Sequence, residues 1–263
     1  MKLTNALLGV ILFVLLAGGL VFVLRATMKP PKPHTLLIHC GTSMRKPMEE
    51  LALEFKQRTG VTIDFNFAGV ESLYPSILVH KEGDVFICHD PFRDKIAKDG
   101  LVADGAVVGY LDPVVIVPKG NPKQIHALAD LFTRKGLRIG CTDPRFATCG
   151  QMVQDLAKKH GWAKSFDGQD CPNMVFQSRS HADIATALVA GELDAGIVWN
   201  FVAATFKDKV DMVHTGETFP ETRVSIVTLS CAKNPTDAAA FLKFVSSDIG
   251  LQVFTDEGYV KGK

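Results

Sequence analysis

The chain has 263 residues, of which 47% are hydrophobic and 22% are charged, and its 29 basic and 28 acidic side chains leave a formal net charge of +1. This composition excludes a disordered, collagen-like or small disulfide-rich protein, and the length allows one large domain or two lobes of ordinary size. The near-neutral charge provides no basic surface for a polyanion, so nucleic acid is not an expected partner.

The first predicted element is an apolar segment, residues 6–24, with basic residues on both sides. Its length matches the roughly 20 residues that a helix needs to span a bilayer. A cleaved secretory signal has a shorter apolar region that ends in a small-x-small site, so we predict an uncleaved transmembrane signal anchor within residues 1–28. A cleaved signal is the alternative. The prolines of residues 29–34 predict an extended linker, and the globular part is expected to begin at Thr35.

From Thr35 onward, predicted strands and helices alternate along the chain. The strands cover residues 36–39, 61–67, 85–88, 114–117, 137–140, 195–199 and 225–229, and the helices cover residues 46–59, 73–80, 92–98, 150–160, 181–190, 236–246 and 249–254. Gly60 and Gly100 follow two of these helices, as is typical of helix ends. The alternation indicates α/β architecture with mainly parallel sheets.

Six segments that follow one another along the chain resemble one protein family. They are HCGTSM at 39–44, RTGVTIDFNFAG at 58–69, GDVFICHD at 83–90, TDPRFATCG at 142–150, GELDAGIVW at 191–199 and AKNPTDAAAFLKFVSSDIGLQVFTDEGYV at 232–260. Each is similar to a segment of the periplasmic molybdate-binding proteins, which are type II solute-binding components of ABC importers. The matches keep the order of that family from about Leu36 to Val260, so they cover the whole globular part.

The resemblance implies a type II periplasmic-binding-protein fold, in which two lobes with mainly parallel sheets close on a ligand in a hinged cleft. The first lobe would consist of residues 35–112 plus 228–263, and the second of residues 113–227. The resemblance also implies an extracytoplasmic protein, expected to be a monomer without a cofactor, that captures molybdate or the related oxyanion tungstate for an ABC permease. Residues 6–24 would hold it in the inner membrane.

The candidate ligand contacts lie where predicted strands lead into helices. Ligands of open α/β sheets bind at the carboxyl ends of strands, and helices that begin there present unpaired backbone N–H groups to an anion. Thr42 and Ser43 follow the first strand, where their hydroxyls either cap a helix or contact an anion. The family's pocket has a serine at the position of Ser43, and the resemblance adds Gly69, Val70, Cys149, Ala182 and Trp199. Hydroxyl residues of the family are replaced at Gly69 and Val70, and a tyrosine of many members is replaced by Trp199.

Six cysteines support a second hypothesis about the ligand. An even count in an exported domain is typical of disulfides, although cysteine is also often a small buried hydrophobe. Cys40 and Cys88 end predicted strands at the cleft and Cys149 lies in the ligand turn, so their thiols are candidate ligands of a soft metal ion or of arsenite. A third hypothesis is a membrane-anchored sensory domain. The sequence contains no Gly-x-Ser-x-Gly, Gly-rich phosphate loop or His-Glu-x-x-His motif, so no enzyme is expected.

Overall fold

The structure is a computed structural model that describes residues 35–261. The predicted anchor at residues 6–24 and the linker at residues 29–34 lie outside the described residues. Within residues 35–261, no helix is long and apolar enough to cross a membrane.

Strands and helices alternate through most of the described chain. The strands are β1 (Thr35–Gly41), β2 (Thr62–Ala68), β3 (Val85–His89), β4 (Val102–Leu111), β5 (Pro113–Pro118), β6 (Ile139–Thr142), β7 (Met174–Ser178), β8 (Ala195–Trp199), β9 (Val210–Val213) and β10 (Thr222–Leu229). The helices are α1 (Arg45–Thr59), α2 (Val70–His80), α3 (Phe92–Lys98), α4 (Leu128–Thr133), α5 (Thr148–His160), α6 (His181–Val189), α7 (Asn200–Thr205), α8 (Pro235–Val245) and α9 (Asp248–Asp256). Short 3-10 turns cover Thr42–Met44 and Gly168–Asp170. Each predicted strand and helix is present, with small differences at its ends.

The strands form two five-stranded sheets, with the order β2-β1-β3-β10-β4 in the first sheet and β7-β6-β8-β5-β9 in the second. Strand β1 is parallel to β3, and β6 is parallel to both β7 and β8. Strand β10 is antiparallel to β3 and β4, and β5 is antiparallel to β8 and β9. Each sheet is therefore mixed rather than mainly parallel as predicted, because the strands next to the crossings between the sheets pair in the antiparallel sense.

The chain crosses between the sheets twice. Asp112 alone separates β4 of the first sheet from β5 of the second, and the return lies between Val213 and Thr222. Because β10 pairs along its whole length with strands of the first sheet, the second crossing comes before the predicted boundary at residues 227 and 228. Both crossings lie within the single compact unit that the described chain forms from Leu36 onward.

Asn200 holds the first crossing in place from the start of α7. Its side-chain oxygen accepts a hydrogen bond from the backbone N–H of Asp112 at 3.1 Å, and its own N–H donates to the Asp112 carbonyl at 3.0 Å. Its amide nitrogen donates to the Gly258 carbonyl at 2.7 Å. The buried side-chain amide satisfies two backbone groups, one at Asp112 and one at Gly258, and so ties the crossing to the C-terminal segment.

Helix α1 illustrates how the apolar pattern determines packing. Met48, Leu51 and Phe55 share one buried face, and the Phe55 ring meets Phe241 of α8 edge-on with 5.0 Å between the ring centroids. Burial of each such side chain stabilises the fold by roughly 1.5–3 kcal/mol. The helix ends at Gly60, whose φ of 79° is a left-handed conformation that glycine adopts without strain. The sequence predicted this end of the helix.

Candidate functional site

A cavity of about 650 Å³ lies beyond the carboxyl ends of strands from both sheets. Its lining includes six of the seven predicted ligand contacts, namely Thr42, Ser43, Gly69, Val70, Ala182 and Trp199. Side chains that the sequence did not predict as contacts also line it, among them Glu71, Ser72, His89, Arg145, Phe146, Thr148, Arg179, Ser180 and His181. The strand ends thus bring the predicted contacts together, as expected for a ligand site in an α/β protein.

Three helices begin at the cavity: α2 from the first sheet, and α5 and α6 from the second. The residues that precede their first turns make no side-chain capping hydrogen bond; these residues are Gly69, Ala147 and Ser180. The first N–H groups of a helix have no partner within the helix, and they carry the positive end of its dipole. The cavity wall therefore presents uncapped backbone donors from both sheets, which suits a small anion.

A hydroxyl group adds to these donors on the side of the first sheet. Ser43 is half-buried at the cavity, and its hydroxyl has no hydrogen-bond partner within residues 35–261. Its carbonyl accepts a hydrogen bond from the Tyr259 hydroxyl, which fixes the turn after β1. The serine hydroxyl is thereby positioned while remaining available to a ligand.

The charged side chains at the cavity are of both signs. The guanidinium of Arg145 is paired with Asp143, with Nη2 and Oδ2 2.6 Å apart, and this bond lowers the pKa of the Asp143 carboxyl. Arg179 is exposed, its guanidinium lies 3.7 Å from the centroid of the Phe146 ring, and no carboxylate within residues 35–261 forms an ion pair with it. Glu71 adds a negative charge to the same lining. Of the arginines in the described chain that line the cavity, Arg179 alone has no ion pair and could therefore interact with an anionic ligand.

Two imidazoles flank the buried indole of Trp199. The centroid of the Trp199 ring lies 6.2 Å from that of His89 and 5.9 Å from that of His181. The Nδ1 atom of His181 is shielded from solvent and has no hydrogen-bond partner within the described chain. Burial, together with the nearby His89, lowers the pKa of His181 to about 3. The sequence predicted neither histidine as a contact, although each lies at a strand end or helix start, which was the available signal.

The structure separates the three candidate metal ligands from the cavity lining. Cys40, Cys88 and Cys149 are fully buried, and burial raises the pKa of each thiol above its ordinary value. The hypothesis of a Cys149 thiol ligand is not supported, because that side chain lies in the apolar core. An oxyanion contact through the backbone of this turn, which begins α5, stays a prediction. All six cysteines, which lie within residues 35–261, are free thiols, and no group of three metal-ligating side chains occurs in that part of the chain.

A comparison with known proteins decides the family. Residues 36–260 match the profile of the bacterial extracellular solute-binding proteins. The chain belongs to this family. The family's members are solute-binding proteins rather than enzymes, in agreement with the prediction that the chain has no catalytic site and no cofactor.

Two solved structures and one curated relative place this solute-binding protein among its neighbours. It is 27% identical over 231 residues to the molybdate-binding protein ModA of Mycobacterium tuberculosis, covering 86% of this chain and 85% of the relative. The periplasmic molybdate-binding protein of Azotobacter vinelandii superposes with a TM-score of 0.72 at 16% identity, over 87% of this chain and 100% of that one. Iron-bound HitA of Pseudomonas aeruginosa superposes with a TM-score of 0.70 at 18% identity, over 88% of each chain. These superpositions show the shared α/β fold of two sheets.

Lowering the pH is expected to destabilise this solute-binding protein through His181. The unfolded ring takes up a proton near its ordinary pKa of 6.5, whereas the pKa of the folded ring is about 3. The unfolded state therefore binds more protons between those values, and stability falls as the pH decreases through that window, by at most about 1.4 kcal/mol per pH unit. Urea denaturation of wild type and His181→Gln over that window measures the effect. We expect a flatter dependence for the variant, and equal slopes would contradict the assignment.

Native alkylation is expected to modify Cys231 before the other five cysteines. Cys231 is half-buried, whereas the other five cysteines are buried. Alkylation requires the thiolate, and its population falls where burial raises the pKa of the thiol, as it does for Cys40 and Cys88. Iodoacetamide labelling followed by peptide mass spectrometry measures the order, with the denatured protein as the control in which all six react. Rapid native labelling of Cys40 or Cys88 would contradict their burial and restore the hypothesis of a thiophilic ligand.

Proposed function

We propose that this solute-binding protein captures a small oxyanion in the cavity between its two sheets and delivers it to an ABC permease. The observation that carries the proposal is the convergence of three uncapped helix starts, from both sheets, on one cavity. Backbone N–H groups bind an oxyanion without a neutralising lysine or arginine, which agrees with a lining that leaves few free cations. Discrimination among anions then depends on cavity size and on fixed donors and acceptors.

Binding is proposed to act on the relative position of the two lobes. Lobe 1 corresponds to residues 35–112 plus the chain after the second crossing, and lobe 2 to the second sheet with its helices. An anion that contacts Ser43 and Val70 on one wall and Ala182 and Trp199 on the other favours the closed arrangement. The anion shifts the equilibrium towards the closed arrangement by a free energy no larger than the difference between its binding free energies for the two arrangements. The closed form is the one that would dock on the permease.

Molybdate and tungstate are the candidate ligands that the sequence similarity suggests. The support is the 27% identity to a relative named for molybdate binding, over most of both chains. The replacements at Gly69, Val70 and Trp199 keep backbone N–H donors and an indole N–H but remove side-chain hydroxyls. The proposed setting is the extracytoplasmic face of the inner membrane, with residues 6–24 as the anchor of a monomer.

Thermal denaturation of the purified full chain tests the proposed function. Molybdate, tungstate, sulfate, phosphate, arsenate, arsenite and Zn²⁺ are added separately, with and without a reducing agent. A ligand at a hundred times its Kd adds about 2.7 kcal/mol to the stability of the folded state, which is readily measured. We expect at least one tetrahedral oxyanion to stabilise the protein regardless of reductant. Stabilisation by arsenite or Zn²⁺ alone, and only in the reduced protein, would overturn the proposal.

Substitution of Ser43 by alanine tests the position of the site. Loss of a hydroxyl that donates to an anion is expected to weaken oxyanion binding by roughly 10-fold, the effect of one hydrogen bond to a charged group. Ser76→Ala on α2 is the matched control, because Ser76 lies outside the cavity lining and makes no described hydrogen bond. Calorimetric titration measures both affinities. An affinity of Ser43→Ala equal to that of the control would exclude this contact.

A further inference from the structure

The cavity contains a carboxylate directly at one of its anion-binding helix starts. Glu71 is the second residue of α2, and its Oε1 accepts a hydrogen bond at 3.3 Å from the hydroxyl of Thr148, the first residue of α5. The carboxylate folds back over the helix start, because a Cβ placed on Gly69 would lie 3.2 Å from its Oε2. No cation within residues 35–261 forms an ion pair with it. An oxyanion bound between α2 and α5 would therefore lie beside a carboxylate that no cation of the described chain neutralises.

His89 supplies a second acceptor to the same lining. Its Nδ1 lies 2.8 Å from the Asp90 carbonyl oxygen, which only accepts, so Nδ1 carries the hydrogen. In this tautomer Nε2 carries the ring's acceptor lone pair, and nothing in the described chain donates to it. The residue is only 5% exposed and lines the cavity, so Nε2 is an acceptor at the cavity without a partner in the described chain.

A hydrogen-bond acceptor at the cavity distinguishes oxyanions that carry a hydrogen from those that do not. Sulfate, molybdate and tungstate carry no hydrogen at neutral pH, so they offer only acceptors and would be repelled by a carboxylate. Hydrogen phosphate and hydrogen arsenate keep one hydroxyl, which donates to an acceptor while the other oxygens accept from the helix starts. A site built to accept a hydrogen bond from a ligand hydroxyl rejects an analogue without that hydroxyl strongly, because its polar groups are left unpaired.

We infer that Glu71 is a specificity-determining residue that accepts a hydrogen bond from the ligand. The protein therefore selects an oxyanion that retains a hydroxyl hydrogen, of the hydrogen phosphate, hydrogen arsenate or phosphonate class, over fully deprotonated tetrahedral anions. This inference rests on the proposed function, since it ranks ligands within the oxyanions that the cavity would bind. It places hydrogen phosphate and hydrogen arsenate ahead of molybdate and tungstate.

A purely structural role for Glu71 predicts a different result. An acidic residue in the first turn stabilises a helix through its dipole, and its removal would change stability without favouring one anion over another. The readout is therefore the ratio of affinities for two anions in the same protein, which a change in stability does not alter. Glu50→Gln on α1 is the matched control, because it removes the same charge from an exposed position outside the cavity.

The experiment titrates phosphate, arsenate, sulfate and molybdate into the full chain, its Glu71→Gln variant and the control, by calorimetry at neutral pH. We expect wild type and control to prefer phosphate and arsenate by roughly 10- to 100-fold, the range for one hydrogen bond to a charged group. Glu71→Gln is expected to lose most of that preference, with weaker phosphate binding and stronger sulfate binding. A wild-type preference for sulfate or molybdate, or an unchanged ratio in the variant, would overturn the inference and leave the proposed function standing. Failure of every oxyanion to bind would overturn the proposed function itself.

A second measurement needs no variant and covers the case in which Glu71→Gln does not fold. Fluorophosphate has the charge and approximate shape of hydrogen phosphate but carries fluorine in place of the hydroxyl. Wild type is expected to bind it at least about tenfold more weakly than phosphate, since the hydrogen donated to the acceptor is missing. Equal affinities for the two anions would overturn the inference.

Discussion

Replacing Gly150 by alanine is expected to destabilise this solute-binding protein by about 3 kcal/mol, the upper part of the range for overpacking a core. Gly150 is the third residue of α5, and a Cβ there would lie 2.0 Å from the Thr142 carbonyl oxygen at the end of β6. The obstructing atom belongs to the backbone, so no side-chain rotation relieves the clash. The expected destabilisation is the reverse of the usual effect of this substitution, because alanine is ordinarily more favourable than glycine in a helix interior by about 1 kcal/mol. Urea denaturation measures the difference.

The neighbouring position provides the control for this prediction. Gln151 is exposed on the same helix, and within the described chain its side chain makes hydrogen bonds only to Asp155, one turn later. Gln151→Ala is expected to change the stability by less than about 0.5 kcal/mol, as surface substitutions usually do. A Gly150→Ala variant as stable as this control, or more stable than wild type, would show that α5 is not pressed against the end of β6. The cavity geometry would then need revision.

Replacing Thr148 by proline is expected to weaken oxyanion binding by about tenfold or more while the fold is retained. Proline at the first position of a helix removes a backbone N–H that has no partner within the helix. The preceding residue, Ala147, has φ −141° and ψ 128°, the extended conformation that residues before proline favour. The loss then corresponds to one hydrogen bond to a charged ligand, ~1.5–3 kcal/mol. Calorimetric titration with the oxyanion that binds most tightly measures it.

A valine at the same position separates the backbone donor from the side chain. Thr148→Val keeps the N–H and the shape of the side chain but loses the hydroxyl that donates to Glu71. Its affinity is expected to lie between those of wild type and Thr148→Pro. Matching affinities of the proline and valine variants would show that the hydroxyl, and not the helix start, contacts the anion. Equal affinities of wild type and Thr148→Pro would exclude this helix start from the site.

The elements with a strong apolar pattern could be predicted from the sequence. Helix α3, in which Phe92 and Ile96 lie one turn apart ahead of Gly100, and strand β8, a continuous apolar run, were predicted to the residue. Strand β4 was missed, since it contains Gly105 and Gly109 and is only partly buried, so its pattern does not alternate. The six-residue helices α4 and α7 were missed, because a helix of fewer than two turns has too short an apolar pattern to be distinguished from a loop.

The candidate site, too, could be predicted only in part from the sequence. The predicted contacts at strand ends and helix starts follow from the order of the elements, which brings Ser43, Gly69 and Ala182 to one cavity. The direction of a side chain within the first turn depends on how the helix is rotated against the sheet, which the sequence does not specify. The rotation of α5 buries Cys149 in the core, opposite to what the cysteine hypothesis required, and the rotation of α2 leaves Glu71 at the cavity.

Anomalous diffraction from crystals of the protein grown with arsenate and, separately, with tungstate tests the anion-binding cavity most directly. Arsenic and tungsten scatter anomalously, so a bound ion is located without assumptions about its contacts. We expect a peak between the starts of α2, α5 and α6, within hydrogen-bonding distance of backbone N–H groups from both sheets. At saturating concentrations, a peak beside a cysteine thiol, or no peak in the cavity with either anion, would contradict an oxyanion site built from these helix starts.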